Sequence, residues 1–123
     1  MSWNLFLDDE RNLADVAWAP WQIQEKYRNE EWVVCRNVQA ALSEIDSHGM
    51  PSFISFDHDL GQNELTGYDL TKVLVDNALD FVDECYQFPQ NFDFYVHSKN
   101  PIGKANIESL LSSYLRHKSQ RNQ

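Results

Sequence analysis

Three polar groups in this chain have the residue types and spacing to do chemistry: Asp8-Asp9, Asp57-His58-Asp59 and His97-Ser98-Lys99-Asn100. Carboxylate oxygens suit hard divalent cations, and Mg²⁺ or Mn²⁺ held by them keeps several waters that can hold or activate a phosphate. If Asp8, Asp9, Asp57 and Asp59 converge, their repulsion is severe, because unit charges ~4 Å apart in a partly buried site interact by about 4 kcal/mol. A cation is therefore expected among them. An isolated Asp-Asp pair after a strand reads first as a solvated turn that caps a helix. The second acidic cluster, around Asp57, tips the reading toward a metal site.

His58, between two aspartates, can ligate a metal, give a proton to a leaving oxygen, or simply hydrogen-bond a neighbouring loop. His97 precedes Ser98 at another strand end. Two histidines beside carboxylates could serve as general acid and base for phosphoester cleavage, and they could equally be core residues satisfied by backbone carbonyls. The run Ser98-Lys99-Asn100-Pro101-Ile102-Gly103 opens a helix, whose free N–H groups and positive dipole end favour an anion. It also reads as an ordinary Asn-Pro helix start. Arg11, Lys99 and Lys104 add cations for phosphate oxygens, so Ser98, Lys99, Asn100, Gly103 and Arg11 form the expected phosphate-binding set.

These groups need elements to bring them together. Trp3 to Leu7 reads as a buried strand stopped by Asp8-Asp9, and a helix is expected over Trp18 to Arg28, with Pro20 in its first turn. Trp32 to Cys35 is a second strand, followed by a helix carrying Val38, Leu42 and Ile45 that stops near Gly49. Phe53 to Phe56 is a third strand. After its acidic end, the loop between Gly61 and Gly67 permits close backbone approach to a ligand or a simple tight turn. Thr66 caps a helix with Leu70, Val73, Leu74 and Leu79. Tyr68 packs at that helix start or stacks on a base or sugar. Phe92 to Val96 is a fourth strand, and Asn100-Pro101 opens a last helix with Ile107, Leu110, Leu111, Tyr114 and Leu115 on one side.

The order β-α-β-α-β-α-β-α predicts a parallel α/β sheet with right-handed crossovers and helices on both faces. In a doubly wound, flavodoxin-like sheet of order 2-1-3-4, ligands gather beyond the carboxyl ends of strands 1 and 3, where the winding reverses. Those two ends are Asp8-Asp9 and Asp57-His58-Asp59.

The chain has 123 residues, 42% of them hydrophobic and 13% aromatic, enough for one core, so residues 1–118 are expected to form one domain and 119–123 a frayed tail. No segment reaches the roughly 18 to 20 consecutive apolar residues of a membrane span, and acids follow the first apolar run, so a cytoplasmic protein is expected. Cys35 and Cys85 lack metal-ligand spacing and read as buried free thiols. The formal charge of −9 argues against bulk duplex nucleic-acid binding or anionic membrane attachment. The oligomeric state is left open.

Together the motifs LFLDDER, FISFDHDLG, TGYDL and VHSKNPIGKAN resemble the cyclic-phosphate-processing receiver-like family of bacterial and phage proteins, a compact variant of the response-regulator receiver fold. The resemblance implies that Asp8 and Asp9 match the acidic pair after receiver strand 1, Asp57 the aspartate after strand 3, and Ser98 the Ser or Thr after strand 4. It further implies a Mg²⁺ site on Asp8, Asp9 and Asp57, with His58, Asp59 and His97 as the family's additions. Four βα units provide no counterpart of the fifth receiver strand and its lysine, which argues against phosphotransfer signalling.

The leading expectation is a metal-dependent phosphoesterase opening a cyclic phosphate on a nucleotide, an ADP-ribose derivative or an RNA end, with Asp57, His58 and His97 as its catalytic residues. The alternative is a noncatalytic interaction protein, such as a phage factor binding a host RNA-processing or defence component through its acidic surface and the aromatic-rich segment Trp18 to Trp32.

Overall fold

A computed structural model describes residues 2–80 and 84–121. Four strands, β1 (Asn4–Leu7), β2 (Trp32–Cys35), β3 (Phe53–Phe56) and β4 (Asp93–Val96), alternate with four helices, α1 (Trp21–Asn29), α2 (Val38–His48), α3 (Gly67–Asp80) and α4 (Pro101–Arg121). The strands form one sheet of order β2-β1-β3-β4, and every pair is parallel. This is the receiver-like 2-1-3-4 arrangement expected from the alternation of elements.

Strand alternation splits the core in two. Leu5, Leu7, Ile54, Phe56 and Val96 face Val38, Ala41 and Ile45 of α2, Leu70 and Leu74 of α3, and Ile107 and Leu111 of α4. On the other face Phe6 packs with Val16, Ala19 and Tyr27 of the α1 side. The fully buried central strands β1 and β3 read as near-continuous apolar runs, which is why they are visible in the sequence.

Some ends shift by one residue, with β1 starting at Asn4 and β4 at Asp93, and two helix boundaries differ further. The first helix starts at Trp21, not Trp18, and Pro20 is its extended N-cap, with φ −58° and ψ 158°. Proline keeps the residue before it out of the helical region, so Ala19 and Trp18 stay in the preceding turn. The last helix continues through Arg121, into the stretch expected to fray, while residues 122 and 123 lie outside the described residues. The cap expected at Thr66 forms: its hydroxyl accepts from the Asp69 N–H at 3.2 Å, and the Asp69 carboxylate accepts from the Thr66 N–H at 2.8 Å. Cys35 is buried, whereas Cys85 is half-buried rather than buried as expected, and no disulfide joins them. No helix among the described residues is long and apolar enough to cross a membrane.

Candidate functional site

The register of the sheet builds the site. Leu7 pairs with both Cys35 and Phe56, and Phe56 pairs with Val96, so the strands end level with one another. The ladder then runs one residue further: Asp8 N–H donates to the Cys35 carbonyl, Asp57 N–H to Leu7 and His97 N–H to Phe56, at 3.1, 2.9 and 2.9 Å. Side chains alternate along a strand, so Asp8, Asp57 and His97 all fall on the face that carries Phe6 and Ser55. All three are buried, and one ligand atom from each lies within 4.8 Å of the others.

Beyond them opens a crevice of about 620 Å³, lined by Asp8, Asp57, Asp9, Asp59, Ser98 and Lys99 among others. Arg11, Asn100 and Gly61 also line it. Thus two predicted ligands, Asp8 and Asp57, form its buried floor, whereas Asp9 and Asp59 stand at the rim outside the tight cluster.

The two buried carboxylates differ in their support. Burial alone would raise the Asp8 carboxyl, but the His97 ring and the N–H groups of Arg11 and Glu10 hold it down to about 2. Those N–H groups donate to Asp8 Oδ1 at 2.7 and 2.9 Å. Asp57 is pushed up to about 6, by burial first and then by the Asp8 charge. Its closest cation is Arg11, at 3.9 Å, and one N–H, from His58, donates to its Oδ1 at 2.9 Å. A carboxylate so poorly compensated beside a second one is suited to a hard divalent cation, which would restore its charged form. The donor set fits Mg²⁺ or Mn²⁺ on the oxygens of Asp8 and Asp57.

The histidines have separate settings. His97 is fully buried and has both ring nitrogens engaged, Nε2 with Asp8 Oδ2 at 3.0 Å and Nδ1 with Ser55 Oγ at 2.8 Å. Phe6 lies flat against its ring at 4.7 Å. His58 does not line the crevice. Its Nδ1 donates to Asp59 Oδ1 at 3.0 Å, and its ring rests on Gly103, where a Cβ would overlap it. Nε2 of His58 has no partner among the described residues. Asn100 accepts from the Gly103 N–H at 3.0 Å as the cap of α4 and donates to Asp59 Oδ2 at 3.1 Å, tying the β4 and β3 loops together.

Four residues at or behind the site carried no such signal in the sequence. Trp18 donates its indole N–H to the His97 carbonyl at 2.9 Å, and the Lys99 and Arg11 cations sit 4.2 and 5.0 Å from its ring. Arg36 donates to the carbonyls of Asp8 and Arg11 and to the Asn12 side chain, pinning the loop that carries Asp9. Ser55 and Tyr27 stand behind His97. Arg36 could have been suspected, because it follows β2 in the same row of strand ends as Asp8 and Asp57. The other three depend on contacts distant in sequence. Tyr68 and Lys104 do not line the crevice: Tyr68 carries Lys72 over its ring, and Lys104 lies over Tyr95.

The family model for the cyclic-phosphate processing receiver domain matches residues 3–113. The chain belongs to this family. The match spans all four strands and every residue that lines the crevice of this cyclic-phosphate processing receiver domain. No curated protein and no solved structure matches the chain.

Proposed function

We propose that this receiver domain is a metal-dependent phosphoesterase that opens a cyclic phosphate on a nucleotide, an ADP-ribose derivative or an RNA end. The observation that carries the reading is the pairing, in a cyclic-phosphate processing domain, of two buried carboxylates with two cations and a hydroxyl in one crevice. Asp8 and Asp57 lie below, and Arg11, Ser98 and Lys99 line the same crevice. Asp8 and Asp57, with Asp9 at the rim, would hold Mg²⁺ or Mn²⁺, which polarises a phosphoryl group and lowers the pKa of a nucleophilic water.

The chain's own groups supply the rest. Arg11 and Lys99 neutralise charge on the non-bridging oxygens, and the buried Ser98 hydroxyl offers a further donor at the crevice wall. Neither histidine lines the crevice; of the two, His58 is the proton carrier in this reading, met by a substrate that extends past Asp59 at the rim, because its Nδ1 is held by Asp59 while Nε2 is left to accept.

The test is hydrolysis of nucleoside 2′,3′-cyclic phosphates, ADP-ribose cyclic phosphate and RNA ending in a cyclic phosphate, with and without Mg²⁺ or Mn²⁺. Metal-dependent product that disappears in Asp57→Asn is the expected result, and the productive substrate names the class. A folded wild-type protein that turns over no member of the panel rejects the enzyme reading in favour of a binding protein.

A further inference from the structure

Behind Asp8 runs a continuous line of buried hydrogen bonds that the proposed chemistry does not use. His97 Nε2 meets Asp8 Oδ2 at 3.0 Å, His97 Nδ1 meets Ser55 Oγ at 2.8 Å, and Ser55 Oγ meets the Tyr27 hydroxyl at 2.6 Å. His97 and Ser55 are wholly buried, and Tyr27 is 6% exposed. The line joins the ends of β1 and β4 to β3 and α1, so it runs across the strands on one face of the sheet rather than along one element.

Donor and acceptor rules give it a direction. A carboxylate only accepts, so the nitrogen facing Asp8 carries the proton. At the other end, the only described partner of the Tyr27 hydroxyl is Ser55, and a buried O–H left without an acceptor is costly. Tyr27 therefore donates to Ser55, and Ser55 donates in turn to His97 Nδ1. The ring is thereby held as the tautomer with its proton on Nε2. Phe6, stacked at 4.7 Å with its plane within 1° of the imidazole, blocks rotation out of that line.

We propose that Tyr27, Ser55 and His97 form a positioning relay, in which the Tyr27 hydroxyl fixes the tautomer and orientation of His97 and so holds the Asp8 carboxylate in place for a metal. His97 is then a positioning residue and not the proton carrier of the reaction. Outer partners of this kind orient a ligating group, and losing one lowers metal affinity by about 10- to 100-fold.

The metal part of this inference rests on the proposed function, but the tautomer part does not, and the two are measured separately. In metal-free protein, ¹⁵N NMR of the His97 ring reads which nitrogen bears the proton. Wild type should show a protonated Nε2 and an acceptor Nδ1. Tyr27→Phe, which keeps the ring and removes only the hydroxyl, should move both signals toward a tautomer mixture. Ser55→Ala should do so further, and Ser55→Thr, which restores a hydroxyl, should recover the wild-type pattern. Calorimetric titration with Mn²⁺ should show about a tenfold weaker site in Tyr27→Phe. His97→Gln, whose amide can still donate to Asp8, should keep turnover within about tenfold, whereas loss of a general acid or base costs about 10²- to 10⁴-fold.

Unchanged ring signals in folded Tyr27→Phe overturn the relay. A wild-type protein with the expected tautomer that takes up no Mn²⁺ rejects the metal reading instead, and the relay stands as the device that orders Asp8.

Discussion

At the scale of single residues, Asp8 and Asp57 show how two identical carboxyls separate in character through their neighbours. Asp8 accepts from two backbone N–H groups and an imidazole, while Asp57 faces Asp8 with one N–H and a distant guanidinium. Metal-free stability should follow. Asp57 is pushed up to about 6, so the stability it contributes is full below the ordinary value of 3.8 and is lost as pH rises through about 6. Asp8, held down to about 2, has the opposite sign: its contribution is present above 3.8 and is lost as pH falls toward 2. Asp57→Asn should therefore be more stable than wild type at pH 7 without metal, by about 1–3 kcal/mol in urea unfolding, with the gap closing below pH 5. Trp18 acts at this scale too, since two rim cations lie over one indole. Trp18→Leu should raise KM about 5- to 30-fold with kcat little changed, matching two cation–π contacts of about 0.5–1 kcal/mol each.

Elements act through close approach. Gly67 opens α3 directly against β3: its N–H donates to the His58 carbonyl at 2.9 Å, and a Cβ there would overlap the Asp57 carbonyl oxygen. Backbone cannot swing aside as a flexible side chain can, so Gly67→Ala must push α3 away from the strand end that carries Asp57. A loss of about 2–4 kcal/mol in thermal or chemical unfolding is expected, along with weaker Mg²⁺ binding. The first helix contributes in another way. Stopping at Pro20 instead of reaching Trp18 frees the tryptophan to bond the end of β4, so the helix boundary and the rim of the crevice have one cause.

For the whole molecule, the parallel register makes the site and the core parts of one structure. The central strands β1 and β3 are buried throughout, the edge strands β2 and β4 are buried at their last residue, and the next residue along each is polar. Three helices cover one face, whereas α1 and the turn before it cover the other, so the polar relay crosses the sheet on its thinner side. Metal binding should tie these layers together. Because a cation binds the folded site and not the unfolded chain, Mg²⁺ at about 100 times its dissociation constant should stabilise wild type by about 2.7 kcal/mol. A thermal melt should show that rise in wild type and little or none in Asp57→Asn, and an equal rise in both would place the ion elsewhere.

Much of this was legible in the residues alone. Buried parallel strands are runs such as NLFL and FISF, their ends are marked by aspartates, and helices announce themselves by spacing and caps. The alternation of the two implies a 2-1-3-4 sheet and a site at the ends of strands 1 and 3. Asp8 and Asp57 follow from that, and Ser98 and Lys99 from the Asn-Pro helix start after strand 4. Other features were settled only by tertiary contact. Whether an aspartate at a strand end is floor or rim depends on side-chain direction and burial, which separates Asp8 and Asp57 from Asp9 and Asp59. Ser55 and Tyr27 look like ordinary strand and helix residues, and they become a polar line only because β3, β4 and α1 stack in space. His97 and His58 are equivalent in sequence, each beside a strand end. Packing decided that one is enclosed with both nitrogens bonded and the other rests on Gly103, because a hydrogen-bond partner 28 to 89 residues away leaves no local pattern in the chain.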